Sequence, residues 1–159
     1  EAPIGGTILT IEDEVENIGH ADAPLMALYH FNFGWPAVGP GARFEMRDGA
    51  GRWAGAPLTP LGGEPARAVD ICAAPAFEGR AAARLAGGAV DVEIAFDPAT
   101  LPYVQSWRRT EPGLNVFSIE PITNRLAPRG ELEAAGEIRT LRPGDVARMS
   151  FALSFSARD

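Results

Sequence analysis

Between residues 68 and 157 the chain is a succession of short segments in which apolar and polar residues alternate, most of them closed by glycine, proline, aspartate or asparagine. A period of two sends successive side chains to opposite faces, the pattern of a strand with one face buried. Residues 68–74, 79–85, 90–96, 103–110, 115–123 and 146–157 read as such strands. Val90, Val92, Ile94 and Phe96 form one apolar face, and Met149, Phe151, Leu153 and Phe155 form another, backed by Ser150, Ser154 and Ser156. Gly87-Gly88 has the residue type of a tight hairpin, and residues 97–100 and 111–113 have those of turns. Only residues 130–141 are ambiguous between helix and strand. The expected class is all-β, an antiparallel β-sandwich.

A chain of 159 residues fits one domain, 1–159, able to bury a core without disulfide or metal staples. Its 18 glycines and 14 prolines argue for many turns and against a helix-rich fold. The single cysteine, Cys72, has no Cys or His companion at metal-ligand spacing, so no zinc site is expected and the thiol reads as a small buried hydrophobe. Net charge is −7, and with no lysine every base is an arginine. Six acids precede the first arginine, Arg43, which argues against nucleic acid as a partner. No apolar run reaches the length of a membrane helix and no signal-peptide pattern opens the chain, so a soluble, cytoplasmic protein is expected.

Residues 7–17 read as a half-exposed, bulged strand with Leu9, Ile11 and Val15 inward, interrupted by Asp13, and with an acidic outer face. It is expected to pair with the next strand, within LYHFNFGWP at residues 28–36. There Leu25, Ala27, Tyr29, Phe31, Phe33 and Trp35 share one face, the aromatic core face, while His30 and Asn32 stand on the other in an otherwise apolar segment. Residues 34–65, rich in glycine and proline, read as a long loop with a short extended piece at 43–46 turning at Asp48-Gly49.

Later in the chain, Phe117 and Ile119 point one way and Ser118 and Glu120 the other. Pro121 holds Glu120 extended and is expected to end the strand, leaving the carboxyl at a rim where it could serve as a base. Tyr103, Gln105 and Trp107 share a face, an aromatic and amide surface suited to a sugar ring. Taken alone, His30 reads first as a core histidine satisfied by a neighbouring carbonyl, and Asp70 at least as well as an ordinary strand-face carboxyl.

Taken together, YHFNFG at His30 and Asn32, LPY…W at 101–107 and SIEPITN at 118–124 resemble the galactose mutarotase-like superfamily of aldose 1-epimerases, in particular its epimerase-like branch of unknown function. The resemblance covers most of the chain and implies a supersandwich of which this chain forms the C-terminal portion. It implies His30 as general acid and Glu120 as general base in opening and reclosing a free sugar's hemiacetal. Asn32, Asp70, Tyr103, Gln105 and Trp107 are then the expected sugar contacts. That chemistry needs no metal and no redox cofactor. The expected partner is a small-molecule sugar, with a homo-oligomer or an N-terminal half completing the site. Two other readings stay open: a carbohydrate-binding sandwich without catalysis, using Trp35, Tyr103 and Trp107 as stacking surfaces, and a purely structural half-domain.

Overall fold

A computed structural model describes residues 1–58 and 66–158. In chain order its elements are β1 (Ile8–Glu16), β2 (Ala23–Leu25), β3 (Phe31–Phe33), β4 (Arg43–Arg47), β5 (Trp53–Pro57), β6 (Ala66–Ala73), β7 (Ala81–Ala86), β8 (Val90–Phe96), β9 (Tyr103–Glu111), β10 (Leu114–Ile122), α1 (Arg129–Ala134), β11 (Arg139–Leu141) and β12 (Val146–Ala157). Every paired strand runs antiparallel to its neighbour. The order β1-β12-β8-β7-β4-β5 makes a six-stranded sheet, β3-β10-β9-β6 a four-stranded one, and β11-β2 a separate pair.

The two larger sheets bury their apolar faces against each other, as the alternation requires. Ile94, Phe96, Met149, Phe151 and Leu153 come from the six-stranded sheet, and Val104, Phe117 and Ile119 from the four-stranded one. Rings close the interface. Phe31 meets Phe151 with centroids 5.3 Å apart, Tyr29 meets Phe151 at 4.6 Å, and Phe44 meets Phe117 at 5.1 Å. These contacts are tilted or edge-on, the arrangements aromatic pairs prefer.

The six strands expected between 68 and 157 are all present, and the ambiguous stretch resolves into α1 followed by β11. Gly87-Gly88 does connect β7 to β8, and its glycines have a physical cause. A Cβ on Gly88 would lie 2.4 Å from the Ala37 carbonyl oxygen, so only a bare backbone lets the loop after β3 pass this close.

Several expectations are corrected. β1 pairs along its whole length with β12, from Ile8↔Ser154 to Glu16↔Val146, and carries no bulge. The aromatic segment is not its partner but belongs to the opposite sheet, where β3 pairs with β10. Asp13 keeps its inward place because the Tyr29 hydroxyl, reaching across from that sheet, donates to it at 2.5 Å. The aromatic segment is itself shorter than its periodicity: β3 ends at Phe33, and Trp35 stands 73% exposed before a cis Trp35–Pro36 bond rather than in the core. Gly34 opens a turn there, its carbonyl accepting from Val38 N at 2.8 Å. Residues 34–65 are not all loop, since β4 and β5 form a hairpin that extends the larger sheet; positions 59–65 lie outside the described residues. Cys72, on the edge strand β6, is exposed.

Candidate functional site

The outer face of the four-stranded sheet carries the polar constellation, and strand register assembles it. Glu120 pairs opposite Gln105, and Ser118 lies between Trp107 on one side and Asn32 on the other. Directly paired residues of antiparallel strands share a face, so these five side chains form one surface. His30 joins them from just outside β3. Leu28 bridges Ile122 and Phe31 pairs with Ile119, and counting inward from both puts His30 opposite Glu120.

The centre of the surface is one contact: His30 Nε2 stands 2.9 Å from Glu120 Oε1. The imidazole is 42% exposed whereas the carboxyl is fully enclosed. Beneath the imidazole, Ser118 Oγ donates to Oε1 and Gln105 Nε2 to Oε2. A buried carboxyl group must have such donors, since burial without them would cost several kcal/mol, roughly. The other amide atom, Gln105 Oε1, has no hydrogen-bond partner among the described residues. Trp107 borders the pair on the open side, its ring centroid 6.0 Å from that of His30 with the planes at 63°.

Of the residues expected at a site, His30, Glu120, Gln105 and Trp107 are in mutual contact or adjacent on one face. Asn32 and Tyr103 lie one rung to either side, Tyr103 opposite Ile122. Asp70 is not among them. It pairs opposite Ser106, which places it on the reverse face, at a cavity of about 400 Å³ between the sheets that Phe44, Met46, Arg108 and Phe117 also line. Glu120 is not at a rim either: β10 continues through Pro121 to Ile122, and Pro121 itself accepts at its carbonyl from Tyr29 N at 3.0 Å. Ser118 was legible only as a neighbour two positions before Glu120; its donor role needs the rotamers of both. Among the described residues no group of three or more His, Cys, Asp or Glu side chains is placed to hold a metal ion, and no helix is long and apolar enough to cross a membrane.

Chemically the arrangement offers a proton donor and acceptor in one hydrogen bond, an aromatic wall beside it, and an amide and a hydroxyl that hold the acceptor in place.

Known structures share this fold. A candidate aldose 1-epimerase from Klebsiella pneumoniae superposes with a TM-score of 0.81 at 19% identity, over 95% of this chain and 43% of its own. Another from Escherichia coli K12 gives 0.67 at 18% identity, over 96% and 57%. A galactose mutarotase-like protein from Clostridium acetobutylicum gives 0.60 at 14%, over 94% and 52%. The chain thus spans about half the length of these structures. No curated protein matches it in sequence. A family model does, over residues 1–155, and the chain belongs to that family, a domain of unknown function designated DUF4432.

Proposed function

We propose that this domain interconverts the anomers of a free aldose by acid and base catalysis at His30 and Glu120. The observation that carries the reading is the 2.9 Å contact between His30 Nε2 and Glu120 Oε1, on an open sheet face beside Trp107. The aldose 1-epimerase names of the compared proteins support it. The sugar stacks against Trp107, and its anomeric hydroxyl displaces the imidazole from Oε1, taking over that hydrogen bond. Glu120 then accepts the hydroxyl proton as the C1–O5 bond breaks. The electron pair of that bond leaves on O5, which takes a proton from His30, and C1 becomes a carbonyl. Rotation about C1–C2 presents the other carbonyl face. The same steps in reverse return both protons, so nothing is consumed. Ser118 and Gln105 hold the carboxyl still throughout, the pre-organisation that positioned acid and base groups need.

The complete enclosure of Glu120 behind the imidazole favours a second reading, in which the face binds a sugar without catalysis, His30 alone of the pair touching a hydroxyl. Polarimetry of freshly dissolved aldoses separates the two. The expected result is acceleration above buffer that falls at least about 100-fold in His30→Ala and in Glu120→Gln, with circular dichroism unchanged. Binding without acceleration in any common aldose would overturn catalysis in favour of the second reading.

A further inference from the structure

On the same face, at the rung of Tyr103, the site runs into a groove of about 200 Å³ whose lining is mainly apolar: Met26, Leu28 and Leu126 are exposed there, with Ile122 at the base. The Leu28–Ile122 bridge is two residues along from His30 and Glu120, or about 7 Å at the rise of a strand. A group attached to a sugar ring at the pair therefore reaches it.

Two polar side chains also line the groove, and both are held by bonds of their own. Asn124 accepts from Thr123 Oγ1 at 3.0 Å and donates to the Arg125 carbonyl at 2.8 Å. The Arg125 guanidinium donates to both oxygens of Glu137, at 2.7 to 3.0 Å. These same bonds, with Thr123 N donating to Ala27 O at 3.0 Å, pin the loop that carries Leu126. The groove thus presents a mainly apolar surface, on which a methyl gains burial that a hydroxyl against the same leucine side chains does not.

We infer that this groove is a specificity subsite, and that the substrate is a sugar bearing a methyl where a common hexose bears a hydroxymethyl, a 6-deoxyhexose. The inference rests on the proposed anomer interconversion. A methyl against Leu28 and Leu126 gains burial, whereas an added hydroxyl is tolerated at a modest penalty, so the discrimination is of the order of tenfold.

The test is polarimetry of fucose against galactose and of rhamnose against mannose, each pair in one configuration, on the wild-type chain, Leu28→Asn and Leu126→Asn. Leu126, 63% exposed on its loop, can change without loss of the core. The expected result is a kcat/KM ratio of about 10 in favour of at least one 6-deoxy sugar, falling toward 1 in both variants. Acceleration with equal or reversed ratios, or ratios that neither variant moves, would overturn the subsite while leaving anomer interconversion in place. Acceleration of none of the four sugars would overturn both.

Discussion

The imidazole of His30 covers the carboxyl of Glu120: Nε2 is 2.9 Å from Oε1, and the imidazole is 42% exposed over a carboxyl that no solvent reaches. In a sheet this is a consequence of register. The two residues stand opposite each other, with the apolar pair Leu28–Ile122 on one side of them along this face and the polar pair Asn32–Ser118 on the other. Substrate therefore meets the imidazole first, and the acceptor is available only to a group able to replace that one hydrogen bond.

Ser118→Ala removes one of the two hydrogen bonds beneath the carboxyl without opening a cavity of consequence. Ser118 is fully buried and donates to Oε1. A bond to a charged or partly charged acceptor in the interior is worth about 1.5–3 kcal/mol, and the variant is expected to lose that much in urea unfolding. It is expected also to lower kcat more than it raises KM, because the carboxyl loses its fixed position. A loss below about 0.5 kcal/mol with unchanged kcat would show that the hydroxyl serves neither purpose.

Local patterns carried much of this fold and site, and distant pairing carried the remainder. Strands β6 to β10 and β12 are legible because alternation and the turns between them are short-range properties. That β1 pairs with β12 is not, since a strand's partner over more than a hundred residues is chosen by tertiary packing. The same distinction divides the site. Ser118 and Glu120 share a face by spacing within one strand, as do Gln105 and Trp107. Asp70 is separated from them by register: it meets Ser106 rather than Gln105, and a shift of one residue exchanges the faces. Trp35 follows a third cause, since Gly34 and Pro36 end the strand before its period places that ring inward.

Tyr29→Phe tests the tie between the sheets. The phenol ring packs on Phe151 and its hydroxyl donates to Asp13 Oδ2 at 2.5 Å. The variant keeps the ring and deletes the bond, so a loss of about 1–2 kcal/mol is expected, with a coupling of similar size to Asp13→Ala in a double-mutant cycle. Burial, then the bond to Asp13 and its charge, push the Tyr29 hydroxyl well above the ordinary value of 10.0. A raised value means that the folded state holds the proton more tightly. The contribution is therefore complete below pH 10 and is lost as pH rises toward the folded value. Urea unfolding at neutral and strongly alkaline pH should show the gap between wild type and Tyr29→Phe closing; additive single-mutant effects would show that hydroxyl and carboxyl do not interact.

Glu45 gives the opposite pH dependence, on the outer face of the larger sheet. Its Oε2 lies 2.8 Å from Arg84 Nη2 and its Oε1 3.3 Å from Arg43 Nε, while the Arg84 guanidinium lies 4.2 Å from the centroid of Trp53. Partial burial by itself would raise the Glu45 carboxyl, but the bonds from Arg84 and Arg43 outweigh it and hold the group below its ordinary value of 4.5. A lowered value means that the folded state prefers the ionised form. The stabilisation is then complete above pH 4.5 and is lost as pH falls through the folded value. Glu45→Gln keeps the shape and removes the charge, so at neutral pH it should cost about 1 kcal/mol, the upper range for a partly exposed pair. Below pH 4.5 the wild type loses the same increment and the two midpoints converge. Urea titrations of both proteins from neutral to acid pH measure this directly, and a gap that stays constant or widens on acidification would show that the arginines do not select the ionised carboxylate.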